Sequence, residues 1–122
     1  MASRPPLDGA NGGCAVSAAW RADEHPDSGS PVLHLEGELD LSVAEELEQQ
    51  LLHALRRADE RLCVDLSEVT YLDSSSVRAL LRAAAIAHDR GKRVQVTSAS
   101  GISRRVIELA GVEDVLGLDA PA

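Results

Sequence analysis

Apolar and polar residues change their period several times along this chain of 122 residues. Over Val32 to Glu36, again over Leu62 to Ser67, and again over Arg93 to Ser98, they alternate at every second position, the spacing of a half-buried strand. Between these stretches the spacing becomes helical. Ala44, Leu47, Leu51, Leu55 and Ala58 line one face of a run that Ser42 and Glu45 open with a capping box. Glu45, Glu46 and Glu48 load its first turns, and Arg56 and Arg57 close it, as the helix dipole favours. Val77, Leu80, Leu81 and Ala84 line a second helix that follows Asp73-Ser74-Ser75-Ser76 and ends at Gly91, the expected left-handed cap. Ser103 is expected to cap a third helix, whose apolar positions Val106, Leu109 and Ala110 stop at Gly111. Cys14 to Arg21 reads as a first strand, Ala22 to Pro31 as a loop rich in Asp, Ser, Gly and Pro, and Val112 to Leu118 as a short last strand or turn.

The order is therefore β-β-α-β-α-β-α with a weak final β. The short link between the first two strands implies an antiparallel pair, and the later strand-helix-strand units require parallel pairing with right-handed crossovers. Alternating strands bury one side only, which places the helices mainly on one face. The expected fold is α/β, with a mixed four- to five-stranded sheet and a first antiparallel strand. One domain spans 14–118, between a flexible N-terminal tail, 1–13, and a short C-terminal tail, 119–122. The N-terminal stretch contains Pro, Gly and an acid but no apolar run, so it reads as neither signal peptide nor membrane span.

Composition narrows the chemistry. Aromatic residues make up 2% of the chain, so Trp20 and Tyr71 are its only large rings and the core must be aliphatic. A formal charge of −8 opposes attraction to nucleic acid or to an anionic membrane. Cys14 and Cys63 lack metal-ligand spacing and read as two reduced, buried thiols, which suits a cytoplasmic protein without metal or cofactor.

Three consecutive serines at the start of the second helix are the candidate site. In part they read as a cap, since Asp73 or Ser74 can bond the free N–H groups of the first turn. At about 100° per residue, Ser75 points roughly 170° away from the apolar side, whereas Ser74 and Ser76 fall on its flanks at about 70° to 90°. The same outward line runs on through Ala79, Arg82 and Ile86 and suits a docking surface. Catalysis is disfavoured. Asp73 and Val77 stand where a nucleophile elbow needs glycines, and His88 lies about 20 Å down the same helix. His25, His34 and His53 are placed too far away, and no G-x-x-x-x-G-K is present. Lys92 is badly placed for a receiver-type phosphoaspartate site. The chain does not read as an enzyme.

Val64-Asp65-Leu66-Ser67, followed by Val69-Thr70-Tyr71-Leu72-Asp73-Ser74-Ser75, resembles the signature of STAS domains, specifically of bacterial anti-sigma factor antagonists. Gly37-Glu38-Leu39-Asp40 is similar to the family turn before the first helix, and Val106 to Val112 to its last helix and exit. The resemblance covers Cys14 to Leu118. It implies that Ser75, the second serine of Asp-Ser-Ser, is phosphorylated by an anti-sigma factor that is itself a serine kinase, and that a serine phosphatase resets it. The unphosphorylated form would bind that kinase and free its sigma factor. The expected partner surface comprises Asp40, Asp73, Ser74, Ser75, Ser76, Ala79, Arg82 and Ile86. Asp73 reads equally as a plain N-cap and Asp40 as a loop hydrogen-bonder. Ser76 stands where the family pattern has glycine. The alternative it leaves open is a STAS-type scaffold or ligand sensor without a phosphorylation cycle.

Overall fold

The computed structural model describes residues 14–16, 20–25 and 31–118; both expected tails lie outside the described residues. Five strands, β1 (Cys14–Val16), β2 (Trp20–His25), β3 (Val32–Leu39), β4 (Arg61–Leu72) and β5 (Arg93–Ala99), form one sheet in sequential order. Helices α1 (Ala44–Arg57), α2 (Ser74–Asp89), α3 (Gly101–Ala110) and a short α4 (Glu113–Leu116) complete the domain.

The expected single strand over Cys14 to Arg21 falls in two strands, paired antiparallel with Val16 opposite Arg21. The second of them runs on into the expected loop as far as His25, because it stays paired with β3 over that whole length. Trp20 and Ala22 are buried opposite Gly37 and Leu35, and Arg21 is exposed. The strand running against the others is accordingly the second. β2 is antiparallel to β1 and β3, and β3, β4 and β5 are parallel.

All four helices occupy one face, α1 against α2, and α2 against α3 and α4. Beneath them Leu33, Leu35, Leu39, Leu62, Val64, Leu66, Val94 and Val96 form an aliphatic core with Leu47, Leu51, Leu55 and Leu80. Each buried leucine contributes about 1.5 to 3 kcal/mol relative to exposure, so the single core accounts for much of the stability. Trp20 joins it, but Tyr71 is exposed. Cys63 is a free, buried thiol.

The opposite face is polar. There Asp65 accepts from His34 Nδ1 at 3.0 Å and from the Ser67 N–H at 2.9 Å. Burial pushes this carboxyl up, but the bonds from Ser67 and His34 outweigh it and hold it below the usual carboxylate range.

Three ends differ from expectation. Asp40, rather than Ser42, is the N-cap, and it opens a 3-10 turn, Leu41–Val43, ahead of α1. Asp40 Oδ1 accepts from the Ser42 N–H at 3.0 Å and from its hydroxyl at 2.6 Å, which occupies the group that a capping box needs. Ser100 caps α3, and Ser103 is buried inside its first turn, its N–H donating to Ser100 Oγ at 3.2 Å. Ile107, rather than Leu109, is the buried apolar residue of α3, and Leu109 is exposed. Val112 to Leu118 forms neither strand nor plain turn but contains α4, which buries Leu116 beside the buried Leu118.

Candidate functional site

Parallel pairing of Leu39 with Leu72 ends β3 and β4 at the same level, so that Asp40 and Asp73 follow side by side. Each has extended backbone, and each caps what comes next, Asp40 the 3-10 turn and Asp73 α2. Asp73 Oδ1 accepts from the Ser76 N–H at 3.1 Å and from the Ser75 hydroxyl at 2.6 Å. Burial pushes the Asp73 carboxyl up, yet bonds from the Ser75 hydroxyl and from the backbone of Ser76, Ser75 and Leu41 together hold it below the usual range. It is therefore a firmly charged carboxylate at neutral pH, joined to the turn before α1 as well as to its own helix.

The three serines have different surroundings. Ser74 is exposed and Ser75 half-buried, whereas Ser76 is fully buried with its hydroxyl donating to the Leu39 carbonyl at 2.8 Å. The expectation that Ser76 sits on the partner surface is corrected: its side chain points into the structure. Ser75 is also less exposed than the helical wheel implies. The wheel centres the buried side on Val77, Leu80, Leu81 and Ala84, but Leu81 and Ala84 are only half-buried, and Ser76, Ala79, Ala83 and Ala87 join Val77 and Leu80 inside. The buried side is thus rotated, because α2 packs sideways on α1 as well as downward on the sheet. Ala79 is accordingly buried, and Ile86 is packed against the core instead of standing exposed.

The line that leaves Ser75 opens onto a groove between α1 and α2 with a volume of about 440 Å³. Ser75, Arg78, Ala79 and Arg82 form one wall; Leu41, Ala44, Glu45, Glu48 and Gln49 form the other. Arg82 crosses it, Nη1 lying 3.2 Å from Glu48 Oε1. Leu41 is 75% exposed at its mouth. Of the expected residues, Asp40, Asp73, Ser74 and Ser75 cluster at the strand ends, Arg82 and Ala79 line the groove, Ser76 is withdrawn from the surface, and Ile86 is half-buried against the core. Leu41, Arg78 and Glu48 are additions. Arg78 could have been found from its i+3 spacing to Ser75, and Leu41 as a lone apolar residue between two polar turn residues. No histidine lines the groove, and Ser75 Oγ bonds to Asp73 rather than to a base suited to activating a nucleophile. Among the described residues no three His, Cys, Asp or Glu side chains group as metal ligands, and no helix is long and apolar enough to cross a membrane.

A mixed sheet covered by helices on one face, with a serine cluster capped by the aspartate that ends a central strand, defines a STAS-type α/β domain. The family model for the "Mlab, STAS domain" matches residues 23–118, and the chain belongs to that family. Compared with curated proteins, it matches none. Among solved structures it is similar to an anti-sigma factor antagonist from Mycobacterium paratuberculosis, with 24% identity and a TM-score of 0.69 over 82% of this chain and 85% of that one. It is also similar to the anti-sigma factor antagonist SpoIIAA in its unphosphorylated form, at 20% identity and TM-score 0.65, covering 76% of this chain and 83% of that one. The phosphorylated form of SpoIIAA, the Bacillus cell fate determinant, gives 20% identity and TM-score 0.60 over 76% and 86%. At these identities the likeness is one of fold.

Proposed function

We propose that this protein is an anti-sigma factor antagonist, a non-catalytic cytoplasmic switch component that binds an anti-sigma factor kinase and thereby frees its sigma factor. The kinase transfers the γ-phosphoryl group of ATP to Ser75. The bond from phosphorus to the ADP oxygen breaks, a bond to Ser75 Oγ forms, and the hydroxyl proton leaves. The modified protein then dissociates until a serine phosphatase removes the phosphate.

The observation that carries this reading is the position of Ser75. It stands in the first turn of α2, at the edge of an open groove, with its hydroxyl oriented by Asp73 at 2.6 Å. A phosphate there would bring about −1.5 to −2 charges beside Asp73, while the helix N-terminus would favour it by only about 0.3 to 1 kcal/mol. The fold would survive, so the effect falls on binding. Support also comes from family membership and from structural neighbours that include an antagonist solved with and without phosphate.

One observation favours a second reading, a STAS-type scaffold or ligand-sensing module without a phosphorylation cycle. The Ser75 side chain is half-buried and its hydroxyl is already committed to Asp73, while Ser74 is the exposed serine. Incubation with the cognate anti-sigma kinase and ATP, read by mass spectrometry with site localisation, separates the two. The switch predicts one phosphate, on Ser75; no phosphate, or one on Ser74, contradicts it.

A further inference from the structure

The groove beside Ser75 holds four charged side chains, Glu45 and Glu48 on one wall and Arg78 and Arg82 on the other. Arg82 pairs with Glu48. Arg78 is exposed and, among the described residues, forms no ion pair. It lies three residues beyond Ser75 on the same side of α2, at a rise of about 4.5 Å. Arg82 lies a further turn along, about 10.5 Å from Ser75, and helical side chains lean towards the N-terminus, which is towards Ser75.

We propose, resting on the reading of Ser75 as phosphoacceptor, that a phosphate on Ser75 is received within the chain by Arg78 and Arg82, and that it draws Arg82 away from Glu48. Two features direct the phosphate that way. Asp73 Oδ1 lies 2.6 Å from Ser75 Oγ and is held there by the hydroxyl proton. The phosphate ester has no such proton, so the charged Asp73 repels what it formerly held. The groove is lined by Ser75 but not by Asp73, and there two guanidinium groups can bond phosphate oxygens in the bidentate manner that favours arginine. Glu48 holds Arg82 through a single exposed ion pair, a contact of the kind worth less than about 1 kcal/mol. A phosphate carrying nearly two charges competes effectively for it.

The two states then present different surfaces. Without phosphate, Arg78 is open to a carboxylate of the partner, and Glu48 is neutralised by Arg82. With phosphate, both arginines are occupied within the chain, and Glu45 and Glu48 are left to repel an acidic partner segment. The modification thus acts as an intramolecular competitor for the arginines that a partner would use.

Phosphoserine installed at position 75 during translation tests this without a kinase, so its outcome is independent of whether a kinase modifies Ser75. The phosphate is titrated by phosphorus NMR in the full chain and in R78A, R82A and R78A/R82A forms. Arginine contact lowers the pH of the second ionisation, and the expected midpoint in the parent phosphoprotein lies roughly one pH unit below that of the double variant. The single variants fall between. Arg90→Ala with Arg105→Ala, which removes two exposed charges outside the groove, leaves the midpoint unchanged. Equal midpoints in the parent and R78A/R82A forms overturn the proposal, as does an equal shift from the remote pair.

Discussion

The hydroxyl of Ser76 donates to the carbonyl of Leu39 at 2.8 Å and so joins the first turn of α2 to the end of β3. The same carbonyl accepts the Asp73 N–H at 3.2 Å. At a position where the sequence resemblance implies glycine, this chain carries a side chain that makes a buried bond. Ser76 thus fixes the segment that carries Ser75 and is itself inaccessible.

Replacing Ser76 by alanine keeps the volume of the β-carbon but removes the donor. Stability should fall by about 0.5 to 1.5 kcal/mol in urea unfolding. Ser76→Gly should cost more, because it adds the helix penalty of glycine, about 0.5 to 1 kcal/mol relative to alanine. A glycine variant as stable as the parent would show that the bond contributes nothing.

Asp73 connects stability to pH. Its folded carboxyl is held below the usual range, so its contribution is complete above the unfolded value of about 4 and is lost as pH falls through the lower folded value. Asp73→Ala should therefore be destabilised by about 0.5 to 2 kcal/mol at pH 7, within the range for lost caps. The gap to the parent should narrow as pH falls from about 5 towards 2, as chemical denaturation at each pH would reveal. A gap independent of pH would show that the charge is immaterial.

The Arg82–Glu48 pair should matter more to recognition than to folding. The Arg82 side chain is 60% exposed, and a double-mutant cycle with Arg82→Ala and Glu48→Gln should give a coupling energy below about 1 kcal/mol. Partner affinity, measured by calorimetry, should change at least several-fold in Arg82→Ala. Unchanged affinity would remove the groove from the partner surface.

Much of the fold is legible in the sequence because the alternation of β3, β4 and β5 is clean and each strand is followed by a helical run. The Asp-Ser-Ser motif also locates the site. The local ends are less legible. Ser42 and Ser103 look like caps, but Asp40 and Ser100 lie at the residues where the chain leaves its extended conformation, and those residues make the capping bonds. The sequence divides Trp20 to His25 between strand and loop because Ala22 to Pro31 is rich in Asp, Ser, Gly and Pro, whereas pairing with β3 extends the strand to His25. At the site, a wheel drawn for one buried side misplaces Ala79 and Ile86, since it cannot know that α1 packs against the flank of α2. Arg78 and Leu41 carry only faint signals in the sequence, an i+3 spacing and a lone apolar turn residue, and the groove between α1 and α2 gives both their meaning.

The central claim, that Ser75 switches partner binding, is tested most directly by measuring the affinity of Ser75→Ala and Ser75→Asp for the cognate anti-sigma factor, alongside their circular dichroism. The account predicts that Ser75→Ala binds as the parent does and that Ser75→Asp binds at least tenfold more weakly, a difference of about 1.4 kcal/mol, with the same helical signal. Equal affinity of the two variants would contradict it.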